Sequence, residues 1–191
     1  QITALDKKPC LTSEDLAFTI GPRLNAAGRF GQGLLGVDLL TTDSRERATQ
    51  LAEYIHELNS SRESLERKIV TEANKAILET FDAEGDSALV LAGRGWHAGV
   101  VGLVAGRLAE KYHRPVVLIA LDQLGVKPGI GSARSASGLN LHAAFLHCTE
   151  HLLGHGGHAA AAGLKIEEAK VDAFRAAFCE YAAGEIEPSH R

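Results

Sequence analysis

Three short segments hold most of the residues whose types and spacing could do chemistry. In GRGWHAGVVG (93–102), glycines precede an apolar, helix-like run. Backbone N–H groups at a helix start attract anions, and glycine lets a phosphate come close. Trp96 offers a face on which a base could stack, and His97 offers a donor to a phosphate. The plain alternative is a glycine-requiring turn with Trp96 in the core. In GIGSARSASG (129–138), Arg134 can fork onto a phosphate, and Ser132 and Ser135 add hydroxyl donors. A flexible polar loop would read the same. In GHGGHAAAAG (154–163), Gly156 and Gly157 free the backbone before His158, a pattern that suits a nest of N–H groups contacting phosphate or sugar. A helix C-cap at Gly154 with a buried histidine is the competing reading.

Other chemistries lack their residues. The chain has no G-x-S-x-G, C-x-x-C, HExxH or GK[ST] motif. The G-x-G at 93–95 lacks the third glycine and the later acid of a dinucleotide fingerprint. His147, His151 and His155 recur every four residues, but no carboxylate or thiolate shares their face to complete a zinc set. A phosphodiesterase normally gathers Asp and His around divalent ions, and no such cluster is present. No metal is therefore expected within these residues.

The elements that must position the three segments are legible from periodicity. Thr12 and Ser13 open a helix, with Gly21-Pro22 as its expected stop. Leu34 to Leu40 predicts a short buried helix. Asp43 or Ser44 caps a long amphipathic helix running to about Thr80, with Asn59 to Arg62 breaking its apolar stripe at a possible bend. Ser87–Ala92, Gly99–Lys111 and Pro115–Ala120 then read as strand, helix and strand, a βαβ unit with parallel strands. Residues 129–134 and 159–166 predict further strands, 140–153 a helix, and 167–183 a last helix before a frayed tail. The fold class is α/β: a small mixed sheet with flanking helices, preceded by a long connector helix.

Composition agrees with a folded protein: 191 residues, 45% hydrophobic, 23% charged, net charge −4. The charge is uneven. Residues 43–85 carry −4, whereas 86–163 carry +2 and seven of the nine histidines, so polyanion binding belongs in the latter. No apolar run could span a bilayer. Three cysteines without paired spacing argue against a disulfide framework and for a reducing compartment. The chain begins at Gln1 and contains no methionine, which suggests a piece of a longer protein.

Taken in order, GPRLNAAGRFG (21–31), GWHAGVVGLVAGRLAEKYHRPVVLIA (95–120), GSARS (131–135) with SGLNLHAAF (137–145), and GHGGHAAAAGL (154–164) resemble the C-terminal half of the RecJ catalytic core, over about residues 12–180. The last three resemble the DHH-associated domain that follows the metal-binding DHH domain in that superfamily. The resemblance implies an exonuclease that degrades single-stranded DNA from 5′ to 3′ in the bacterial cytoplasm, in DNA repair and recombination. It divides the chain into the end of a DHH domain (1–42), a connector helix (43–85), a DHH-associated domain (86–184) and a tail (185–191). Phosphate contacts would come from Arg134 and Ser135. Gly156, Gly157 and His158 would line the cleft with His97 nearby, and Arg23, Asn25 and Arg29 would stand at its mouth. Mn²⁺ or Mg²⁺ would sit in the chain's own N-terminal DHH domain, so these residues alone should lack activity. Phe30 stands where methionine is common. Two rivals carry other functions: a phosphodiesterase of the same superfamily acting on cyclic dinucleotides or very short oligonucleotides, and a non-catalytic nucleic-acid-binding module like the one appended to alanyl-tRNA synthetase.

Overall fold

A computed structural model describes residues 2–82 and 85–186. The expected tail falls largely on 187–191, outside the described residues. The chain divides into two compact units, Gln1–Leu65 and Glu66–Arg191.

The first unit is helical. Thr12 caps α1 (Ser13–Asp15): its hydroxyl accepts the Asp15 N–H, and the Asp15 carboxylate accepts the Thr12 N–H at 3.0 Å. The expected stop at Gly21-Pro22 does not occur. The chain widens into a π-helical turn over Leu16–Ile20 and continues as α2 (Gly21–Arg29). The Gly21 N–H reaches the Leu16 carbonyl five residues back. The wider turn gives the Pro22 ring room it would lack in a regular helix, and Pro22 sits where no N–H is needed. The helix expected at Leu34–Leu40 forms as α3 (Leu34–Thr41), but it is not buried. It packs through Gly36, which lies against Leu24 of α2. Leu34, Val37 and Leu40 therefore face outward, 81%, 56% and 71% exposed.

Ser44 accepts the Arg47 N–H at the start of α4 (Arg45–Thr80), a 36-residue helix. That is about 54 Å at ~1.5 Å per residue. Asn59 and Glu66 interrupt its buried stripe of Leu51, Ile55, Ile69, Ala73 and Ile77, yet the helix itself is unbroken.

The second unit is a five-stranded mixed sheet in the order β1-β2-β3-β5-β4: β1 (Leu89–Arg94), β2 (Val116–Leu121), β3 (Gly129–Arg134), β4 (Gly154–Gly157) and β5 (Ala161–Ile166). As expected, β1 and β2 are parallel, joined through α5 (Ala98–Tyr112); the remaining pairs are antiparallel. The helix expected over 140–153 is shorter. Asn140 caps α6 (Leu141–His147), a 3₁₀ turn follows at Thr149–His151, and the Leu153 N–H then bonds to the Lys165 carbonyl, drawing the chain into the sheet. GHGG is thus an extended edge strand, neither a helix cap nor a nest of converging N–H groups. Glycine's poor strand propensity hid it.

Because side chains alternate along a strand, the sheet has two distinct faces. On one, Val90, Val117, Ile119, Ala133, Leu164 and Ile166 meet Leu141, Ala144 and Phe145 of α6 and Phe174 and Phe178 of α7 (Val171–Glu185). The three phenylalanines are fully buried, with ring centroids 5.6–5.9 Å apart. On the other face, α5 lies over β2 and β3.

Candidate functional site

Three cross-strand rows make the α5 face. Leu89, Val116, Arg134 and Ala161 form one; Leu91, Leu118, Ser132, Gly163 and Gly156 the next; Gly93, Ala120, Ile130, Lys165 and Gly154 the third. The apolar ends on β1 and β2 are buried. Beyond β3 the face opens. Gly156 and Gly154 are exposed, and nothing lies within 4 Å of where a side chain would start at either. Gly163 of β5 with Gly156 and Gly154 of β4 leave a strip of bare backbone, with Ser132 and Arg134 along its border.

Arg134 is fixed against α5. Its Nη1 donates to Ser132 Oγ at 2.9 Å and to the Ala133 carbonyl at 2.7 Å. Its stem passes Gly106, and its Nη2 would lie 3.1 Å from a Cβ at Gly102, where Ser132 Oγ would be 2.8 Å away. The two glycines, one helical turn apart, form a notch that admits both side chains. The guanidinium therefore extends toward the N-terminal turn of α5. That turn is capped by His97, whose Nδ1 accepts the Gly99 N–H at 3.1 Å. Arg134 is half-buried and has no carboxylate partner among the described residues. A partly desolvated guanidinium without a counter-charge favours an anionic ligand.

The third segment arrives through the β4–β5 turn. The His158 N–H bonds to the Ala161 carbonyl at 2.8 Å, and Ala161 is the pairing partner of Arg134, so exposed His158 stands one strand from the guanidinium. Gly157 has φ +135°, and a Cβ there would meet Ala161 O at 2.5 Å, so this turn requires glycine. The Ser135 N–H bonds to the Ala160 carbonyl at 3.1 Å, and its buried Oγ has no partner.

Trp96 does not offer a stacking face. It is 7% exposed, its ring fills the space above Gly93, and its Nε1–H donates to Glu72 at 2.6 Å. It fastens the β1–α5 turn to α4. His155 points to the opposite face, where its ring lies 6.3 Å from both His142 and Phe145. His147 lies against Tyr181, with ring centroids 5.0 Å apart.

In the first unit, α2 separates the three residues expected to act together. Asn25 and Arg29 are one turn apart on the same face, whereas Arg23 points elsewhere, donating to the Thr19 carbonyl at 2.6 Å and to His56 Nδ1 at 3.4 Å. It borders a cavity of about 460 Å³ that Arg45 and Glu53 also line.

Sequence reasoning did not find the notch of Gly102 and Gly106. Its signal was present as a four-residue glycine spacing in a helix otherwise rich in valine and leucine, but its occupants are fixed only by the register of β3 against α5.

A glycine-floored strip bordered by a notched arginine results when the second and third segments fold together. Residues 85–184 match the DHHA1 domain. The chain belongs to the DHHA1 family. It is 38% identical over 186 residues to the single-stranded-DNA-specific exonuclease RecJ of Haemophilus influenzae, covering 94% of this chain and 32% of that protein. A crystal structure of exonuclease RecJ bound to manganese superposes with a TM-score of 0.83 at 34% identity, over all of this chain and 46% of that one. RecJ of Thermus thermophilus in complex with Mg²⁺ gives 0.78 at 36% identity, over 89% and 26%. The DHHA1-family chain thus spans about a third of the length of the RecJ proteins it matches. Among its described residues, no three His, Cys, Asp or Glu side chains form a metal-ligand set, and no helix is long and apolar enough to cross a membrane.

Proposed function

We propose that this chain is the phosphate-gripping part of a 5′→3′ exonuclease specific for single-stranded DNA, working in DNA repair and recombination in the bacterial cytoplasm. The half-buried Arg134, held in the α5 notch beside an open glycine strip and lacking a carboxylate partner, carries this reading. Arg134 and Ser132 take one backbone phosphate, His97 stands near them at the α5 cap, and His158, Ser135, Gly156 and Gly157 border the strip. Residues 1–42 would close a DHH domain, 43–85 connect and 86–184 grip. Mn²⁺ or Mg²⁺ ions would be held by the DHH domain of the whole protein, in keeping with the metals bound in the RecJ structures this chain resembles. The chain's contribution is to neutralise and orient the phosphate.

In the whole protein, Arg134→Ala should weaken binding of single-stranded DNA and lower the slope of log affinity against log salt by about 0.7, the loss of one phosphate contact. The 1–191 chain alone should show no Mn²⁺-dependent digestion. Unchanged affinity and slope in the variant, or robust digestion by the isolated chain, would each refute the corresponding assignment.

A further inference from the structure

Building on that reading, we propose that the third row of the α5 face, Ile130–Lys165–Gly154, is a second nucleotide subsite, with Ile130 against the flat of a base and Lys165 on the next phosphate. The row follows directly after Ser132–Gly163–Gly156 on the same face. Two residues along a strand advance about 6.8 Å, close to one step of an extended single strand. Ile130 is 42% exposed in the middle of a strand, while Ala120, its neighbour on β2 in the same row, is 7% exposed under α5. The apolar surface thus opens where α5 ends its cover.

Lys165 is exposed between buried Leu164 and Ile166, and its ammonium has no bonding partner among the described residues. Gly154, like Gly156, has nothing within 4 Å above it, so a flat ligand can rest on backbone. A lone exposed isoleucine needs no explanation. This one adjoins an unpaired cation and shares a face with the notched arginine, which together match the alternating apolar and anionic character of a nucleic-acid strand.

The face has a direction. Gly102, beside Ser132, lies five residues after His97, which is about 7.5 Å of helix, so the α5 cap stands level with Ile130. A strand laid from Arg134 to Lys165 runs past that cap.

The test uses the whole protein and 5′-phosphorylated oligothymidylates of increasing length, with and without a single abasic site scanned along the strand. Lys165→Gln should lower the salt slope by about 0.7. Ile130→Ala should weaken long strands about fourfold, roughly the loss of one buried methylene's contact with the base. Neither should affect the shortest oligomer that Arg134→Ala weakens. An abasic site at one position should abolish the Ile130 effect. Wild-type binding by both variants would overturn the subsite, and so would a loss that is equal at every length and insensitive to abasic sites. If Arg134→Ala also binds as wild type, the gripping reading itself fails; if only the third row is silent, that reading stands.

Discussion

Adjacent residues on one strand of this protein have opposite employment. Leu164 of β5 is 4% exposed and packs against Gly131 so closely that a Cβ there would stand 2.8 Å from it. Gly163, the residue before it, faces the α5 side and meets only ordinary contact, the Gly131 carbonyl at 3.7 Å from a built Cβ. One face of the sheet is closed by two helices and three phenylalanines; the other is covered over its first strands and opens over β5 and β4, where glycines floor it. The difference shows how a thin sheet can be both core and binding platform: alternate residues do each job, and omitting side chains on one face leaves the other intact. Leu164→Ala should therefore have the largest effect, about 2–5 kcal/mol of stability, read by denaturant unfolding. A loss under about 1 kcal/mol would mean the closed face is not the principal core.

The covered part of the α5 face gives the next test. Trp96→Phe keeps a ring above Gly93 but removes the donor to Glu72. A hydrogen bond to a charged acceptor is worth about 1.5–3 kcal/mol, which the variant should lose, while single-stranded DNA affinity stays unchanged. Weakened affinity at unchanged stability would return Trp96 to the binding surface.

How much of this contrast was legible follows the same division. The parallel β1–β2 pair and the residues of β3 could be read because apolar runs between turn signals carry their own pattern. The GHGG strand could not, since four residues without an apolar side chain have no period; it exists because β5 supplies a partner. The Gly21-Pro22 stop failed because a π turn absorbs a proline, and the exposure of Leu34, Val37 and Leu40 was hidden because hydrophobicity reports what can be buried, not what is. At the candidate site, residue types pointed to Arg134 and Ser132. Pairing register was needed to see that they share a face with Gly163 and Gly156, and that Trp96 is occupied elsewhere.

On the open face, Gly163→Ala should change stability by less than about 1 kcal/mol, because strand propensity favours the added methyl and nothing blocks it. The methyl would stand on the floor beside Ser132, so DNA affinity should fall even as stability holds. Stability and affinity falling together would show that the bare strip is a packed surface.

The smallest effect belongs to the rim, outside both faces. Asp122 lies in the β2–β3 turn, where its carboxylate accepts the Val126 N–H at 3.0 Å and that bond, more than any other influence, holds its pKa below the ordinary carboxylate value. A lowered folded-state pKa stabilises the turn at pH above the unfolded value, about 3.9, and the gain is lost as pH falls through the lower folded value. Asp122→Asn keeps an oxygen able to accept the same N–H but removes the charge. The wild type should thus unfold at a slightly higher temperature than the variant at neutral pH, and the two should converge in acid. A difference that persists undiminished in acid would assign the turn's stability to the shape of the side chain. The β2–β3 turn would then behave like the closed face, held by fit, and not like the open face, where charge without a counter-charge decides.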